Sequence, residues 1–161
     1  MTNDLLLSSA PPTEVAFGLA RRIVESHLRV VGRPLLAAAP EDDTGLAEAL
    51  WTAPIAVVAH DTQADPVFCY GNRLALELFE MDYAAFTALP SRYSAEPLAR
   101  EERAALLDRV GRFGFIDDYA GTRVSSTGRR FHIRKATVWN LIDDDGVYLG
   151  QAATFSDWEP L

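Results

Sequence analysis

The stretch from Gly128 to Asp157, GRRFHIRKATVWNLIDDDGVYLGQAATFSD, constrains the fold more than any other part of the chain. Thr127-Gly128 is turn chemistry that opens a long strand. Asp143-Asp144-Asp145-Gly146 reverses it, and a second strand closes on Phe155-Ser156-Asp157. The result is an antiparallel hairpin at the centre and edge of a sheet. Along its first strand, Phe131, Ile133, Trp139 and Leu141 share one parity, while Ala136, Val138 and Ile142 share the other. Clean alternation would mean one wet face. The mixed pattern calls for a sheet covered on both faces, or for a bulge that shifts the phase.

The rest of the chain supplies the covers. Residues 1–12, ending in Pro11-Pro12, read as disordered. Thr13 is placed to N-cap a helix from Glu14 to Val31, with Phe17, Ala20, Val24, Leu28 and Val31 on one apolar stripe and Gly32 and Pro34 ending it. A polar linker over 37–44 leads to a short helix with Leu46, Leu50 and Trp51, stopped by Pro54. Residues 55–60 and 67–70 read as strands joined by the turn at 61–66. Asn72 caps a helix with Leu74, Leu78 and Phe79, and Asp82 caps another with Phe86 and Leu89. Ser94 or Glu96 opens the main helix, 98–111, with Leu106, Leu107 and Val110 as its stripe. Residues 115–124 form the third strand. Strands and helices are segregated, which predicts an α+β fold: a five-stranded antiparallel sheet with helices on one face, and the amphipathic helix Glu14 to Val31 as cover for the other, in its own subunit or a partner's.

At 161 residues the chain suits one domain, which buries roughly 70% of its unfolded surface and needs no cross-links. The formal charge of −8 argues against nucleic-acid binding. No apolar run approaches a membrane span or a signal sequence. The single cysteine, Cys69, fits a reducing compartment, so the expected location is the cytoplasm. Fourteen arginines against one lysine, with abundant alanine, suggest a GC-rich bacterial genome.

The order of elements, with Tyr70-Gly71-Asn72 at the strand-to-helix junction, Gly128 before the long strand, and Gly146, Gly150 and Phe155-Ser156-Asp157 at the close, resembles a PAS domain. Within that class the chain is similar to the MEKHLA family, through DPVFCYGNRLALELFE (65–80), LPSRYSAEP (89–97), GFIDDYAGTRVSSTGRRF (114–131) and ATVWNLIDDDG (136–146). The likeness covers about residues 45–158. It implies three regions: the N-terminal 1–12, a helix and linker over 13–44, and a PAS-like domain over 45–161. In plants this domain ends homeodomain–leucine-zipper regulators and is linked to their dimerisation, whereas bacterial members stand alone. The resemblance implies a non-enzymatic sensory, ligand-binding and interaction module. A homodimer formed through the helix Glu14 to Val31 or through a sheet face is also expected, since the chain carries no attached output domain to receive a signal.

Tyr70, Phe86, Tyr119, Trp139 and Phe155 are bulky enough to frame a ligand pocket between sheet and helices, with Asn72, His132, Asn140 and Gln151 as polar contacts. The competing reading is a filled core in which Asn72 is a helix cap. Flavin-binding PAS domains carry a reactive cysteine on a helix in an Asn-Cys-Arg setting. Cys69 lies on a strand, and the glutamine those domains use would fall at Ala152, beside Gln151. Haem-binding relatives take a histidine from the main helix, which has none. His27, His60 and His132 lack metal-ligand spacing. Neither flavin, haem nor metal is therefore expected, and the cofactor stays unassigned. Adjacent Asp117 and Asp118 should face opposite ways, one buried beside Arg123 or Arg130. A rival reading is an enzyme resembling ketosteroid isomerase, with Asp118 as base and Tyr119 as donor.

Overall fold

The structure is a computed structural model that describes residue 8, residues 10–95 and residues 97–161, the side chains at 97–100, 103 and 107 excepted. Helices α1 (Phe17–Val31) and α2 (Asp43–Trp51) lead into strands β1 (Ala56–His60) and β2 (Phe68–Gly71). Helices α3 (Arg73–Phe79), α4 (Tyr83–Phe86) and α5 (Pro97–Phe113) follow, with a 3₁₀ turn at Ser91–Ser94 before α5. Strands β3 (Phe115–Val124), β4 (Arg130–Ile142), β5 (Tyr148–Phe155) and β6 (Asp157–Pro160) complete the chain.

The strands lie in the order β2-β1-β5-β4-β3, every neighbouring pair antiparallel. The expected five strands gain a sixth. Beyond Ser156, β6 takes up the flank of β4 that β5 has left, pairing Phe131–Arg134 with Asp157–Pro160. The break falls opposite Lys135, which adopts a left-handed backbone with φ of 54°. That one residue switches the phase of β4, as a bulge does. Ile133 on one side of it and Ala136 and Val138 on the other all face α3 and α5, whereas Trp139 faces α1. Both explanations for the mixed parity therefore hold, and the grouping of Phe131 and Ile133 with Trp139 and Leu141 is corrected.

Helix α1 covers the outer face of the sheet within its own subunit. It begins at Phe17, not at 14. The N-cap is Ala16, without a side-chain hydrogen bond, and Thr13 lies outside the helix. Its end is as expected, with Gly32 at φ 90° and its N–H donating to the Leu28 carbonyl. The buried face is Ala20, Ile23, Ser26 and His27, while Phe17 and Leu28 remain exposed. The apolar stripe is thus rotated from the expected one, and two polar residues take inner positions. The His27 ring meets Trp139 edge-on at 4.7 Å, and its Nδ1 lies 2.8 Å from the Arg33 carbonyl.

The helix caps follow the sequence. The side chains of Asn72 and Asp82 accept from the N–H groups of Ala75 and Ala85. In α5, Leu106 and Val110 are buried, and Asp108 pairs with Arg112 at 3.3 Å. Glu96, the side chain of Leu107 and most of the stretch expected to be disordered (residues 1–7 and 9) lie outside the described residues. No described helix is long and apolar enough to cross a membrane.

Candidate functional site

A cavity of about 60 Å³ lies between the sheet and α3, α5 and the 3₁₀ turn. Its walls are mostly apolar: Phe68 from β2, Phe79 from α3, Leu106 from α5, and Ile133, Ala136 and Val138 from β4. Strand β5 adds Gln151, Ala152 and Phe155. Strand β3 contributes Tyr119 and Arg123, which share a face because they are four residues apart on one strand.

Arg123 is the unusual member. It is 9% exposed and forms no ion pair with any described residue. Its Nη2 donates to the Tyr119 hydroxyl at 2.9 Å, its guanidinium lies 5.3 Å from the centre of that ring, and Nη1 is buried without an acceptor. Burial pushes the guanidinium's pKa down, and Tyr119 partly offsets this. Gly121, between the two, makes the pair possible: a Cβ there would lie 2.4 Å from the Tyr119 hydroxyl oxygen.

Of the nine residues expected to form a pocket, Tyr119, Gln151 and Phe155 line this cavity. The other six lie elsewhere. Asn72 is fully buried, and its amide makes four hydrogen bonds: Oδ1 accepts from the N–H groups of Val57 and Ala75, and Nδ2 donates to the carbonyls of Leu50 and Ile55. It ties α2, β1 and α3 together and has no capacity left for a guest. Phe86 stacks on Phe68 at 4.2 Å, behind the cavity wall. Tyr70 and Phe68 flank the bulge in β2, and Tyr70 packs against Tyr83. Its hydroxyl is buried, which raises its pKa. Trp139 faces α1. Asn140 bridges the Val110 carbonyl (3.2 Å) and the Gln151 amide (3.1 Å). His132 is half-buried beside Thr122.

The aspartates of β3 also depart from expectation. The ladder is irregular between Ile116 and Tyr119, so Asp117 and Asp118 are both exposed. They face Arg33 (3.8 Å) and Arg109 (4.0 Å), not Arg123 or Arg130. Asp118 is thus absent from the cavity wall that holds Tyr119, and the base and donor of the isomerase reading are not brought together.

Cys69 is half-buried on β2 outside the cavity lining, and burial pushes its thiol up to about 11. Pockets for cofactor-sized ligands run from roughly 300 Å³ upward, so the cavity of about 60 Å³ does not fit a flavin or haem. Among the described residues no cluster of His, Cys, Asp or Glu could hold a metal ion. Phe68, Phe79, Leu106 and Arg123 went unanticipated as wall residues. The readable signal for Arg123 was the Tyr119-x-Gly121-x-Arg123 spacing, which puts a ring, a gap and a cation on one face of a strand.

The MEKHLA domain family model matches residues 17–160. The chain is 27% identical over 139 residues to the homeobox-leucine zipper protein HOX29 of Oryza sativa subsp. indica, covering 85% of this chain and 16% of that one. It is also 27% identical over 152 residues to the homeobox-leucine zipper protein ATHB-9 of Arabidopsis thaliana, covering 92% and 18%. The chain therefore spans less than a fifth of the length of these curated relatives. Both are plant proteins, and they lend no support to the bacterial source suggested by the arginine bias. Among solved structures, the PAS domain of a protein from Colwellia psychrerythraea superposes with a TM-score of 0.60 at 14% identity, covering 71% of this chain and 92% of that one. The light-state dimer of the fungal blue-light photoreceptor Vivid gives 0.55 at 14%, covering 94% and 98%. At such identity the likeness is one of fold.

Proposed function

The chain belongs to the MEKHLA domain family, and on that premise we propose that it is a PAS-like sensory module that binds a small molecule between its sheet and helices and passes the event to a second copy of itself. The observation that carries this reading is the cavity, walled by apolar side chains from strands and helices and supplied with few polar groups. The lining follows the pattern of small-molecule sites, in a volume suited to a guest of a few heavy atoms. Ligand contacts that differ between two packings of sheet and helix would shift the balance between them.

The surface offered to the second copy is the outer side of α1, where Phe17 and Leu28 are 42% and 52% exposed. No turnover step belongs to this reading, which the exposure of Asp118 supports. A cytoplasmic location and the absence of a nucleic-acid role belong to it as well, supported by the lone cysteine and the charge of −8.

Native mass spectrometry of the purified full chain tests the ligand, with Ala152→Leu, which fills the cavity, as control. A small molecule carried by the wild type and lost from the variant is expected; a wild type that runs at its bare sequence mass, like the variant, would count against the reading. Light scattering on Phe17→Glu/Leu28→Glu tests the dimer. The double variant should be a monomer where the wild type is a dimer.

A further inference from the structure

We propose that the cavity takes a small organic carboxylate with a short apolar body, and that Arg123 holds its carboxylate group. The inference rests on the ligand-cavity reading above and names the chemical class of the guest.

Arg123 is a cation taken out of water, with no anion beside it among the described residues. Among the described residues its side-chain partner is a neutral hydroxyl, on Nη2, and Nη1 has no acceptor. A charge buried in this way is strongly disfavoured unless something neutralises it. Among the described residues of the cavity wall, Arg123 is also the only arginine or lysine, and no aspartate or glutamate joins it there. The partner we assign to it is an anion that arrives from solution. A guanidinium matches a carboxylate in shape and charge, through charge-assisted hydrogen bonds. A single cation suits a singly charged head better than a doubly charged phosphate. The remaining wall, with Phe79, Leu106 and Val138, suits a hydrocarbon body. A volume of about 60 Å³ restricts that body to a few carbons. Tyr119 holds the guanidinium through its hydroxyl at 2.9 Å, with the ring centre 5.3 Å away.

The test uses propionate and its neutral counterpart propionamide, titrated into the full chain at fixed ionic strength and followed through the methyl resonances of Leu106 and Val138. Propionate should saturate these shifts with an affinity at least about tenfold above that of propionamide. Arg123→Met keeps the bulk and removes a buried charge, so it should fold. It should lose the preference for the acid and retain the amide. Arg123→Lys keeps the charge without the fork and should bind propionate several-fold more weakly than the wild type, with propionamide unchanged. Equal binding of acid and amide, unaltered in Arg123→Met, would overturn the carboxylate assignment and leave a small-molecule cavity standing. No shift at Leu106 or Val138 with either compound would overturn both.

Discussion

The Ser26 hydroxyl is hydrogen-bonded twice to the backbone of Ile142, donating to its carbonyl at 3.1 Å and accepting from its N–H at 3.0 Å. Strand β3 begins opposite Trp139, so the end of β4 lacks a neighbour on that flank. The Asn140 N–H finds the Gly114 carbonyl there, and the next outward N–H, that of Ile142, finds Ser26. A helix side chain completes the ladder and sets the depth at which α1 sits. Arg22 also donates to the Ile142 carbonyl at 3.1 Å, so Ser26→Val strands the amide more than the carbonyl. A loss of about 1–2 kcal/mol in urea unfolding is expected, and an unchanged midpoint would remove Ser26 from the docking of α1.

The neighbouring His27 makes that docking sensitive to acid. Its pKa is lowered, first by burial, with the Arg33 carbonyl partly opposing and the Arg33 charge adding to the effect. The unfolded chain therefore binds a proton that the folded chain refuses. The stability contributed by neutral His27 is complete above its ordinary pKa, near 6.5, and falls away as the pH drops below it toward the folded-state value. His27→Gln should show a smaller loss of stability between pH 8 and pH 5 than the wild type. Equal losses in denaturant titrations at the two pH values would exclude His27 as the source.

Asn72 holds more than a helix end. Asn72→Ala strands the Val57 and Ala75 N–H groups and the Leu50 and Ile55 carbonyls together, and should cost about 3–5 kcal/mol. Asn72→Asp separates the two halves of that loss. An aspartate caps helices well, but it presents oxygen to the two carbonyls. Thermal unfolding should find it nearly as damaging as alanine; a near-wild-type Tm would mean that the cap alone matters.

Gly121→Ala probes the cavity without touching its cation. The added methyl would overlap the Tyr119 hydroxyl, so the ring must move and its bond to Arg123 must lengthen. A destabilisation of about 1–3 kcal/mol is expected, together with a weaker preference for propionate over propionamide. Crystals of the variant with the 2.9 Å contact intact would show that the gap at Gly121 is incidental.

Much of the scaffold is legible from single residues whose chemistry acts locally. Gly32, Asn72 and Asp82 mark helix ends, and the acidic turn at Asp143 marks the hairpin, because each role needs only its own few neighbours. The face of α1 was misread because apolar periodicity cannot see that Ser26 is called inward by an unfinished strand. The mixed parity of β4 signals a phase shift, but its position at Lys135 is not readable, since nothing in a lysine marks it for a positive φ. At the site the errors share one cause. Large aromatic residues are assigned to a pocket when several of them fill the core, and Arg123 is read as the partner of a buried aspartate because a buried charge is ordinarily paired.

The switch at Lys135 has one more effect. Past it, Val138 belongs to the cavity wall while Trp139, the very next residue, is the seat of His27. A single peptide bond separates the chamber from the outer helix. The strand stands there as a diaphragm one residue thick, with the chamber on one side and the indole that seats the outer helix on the other.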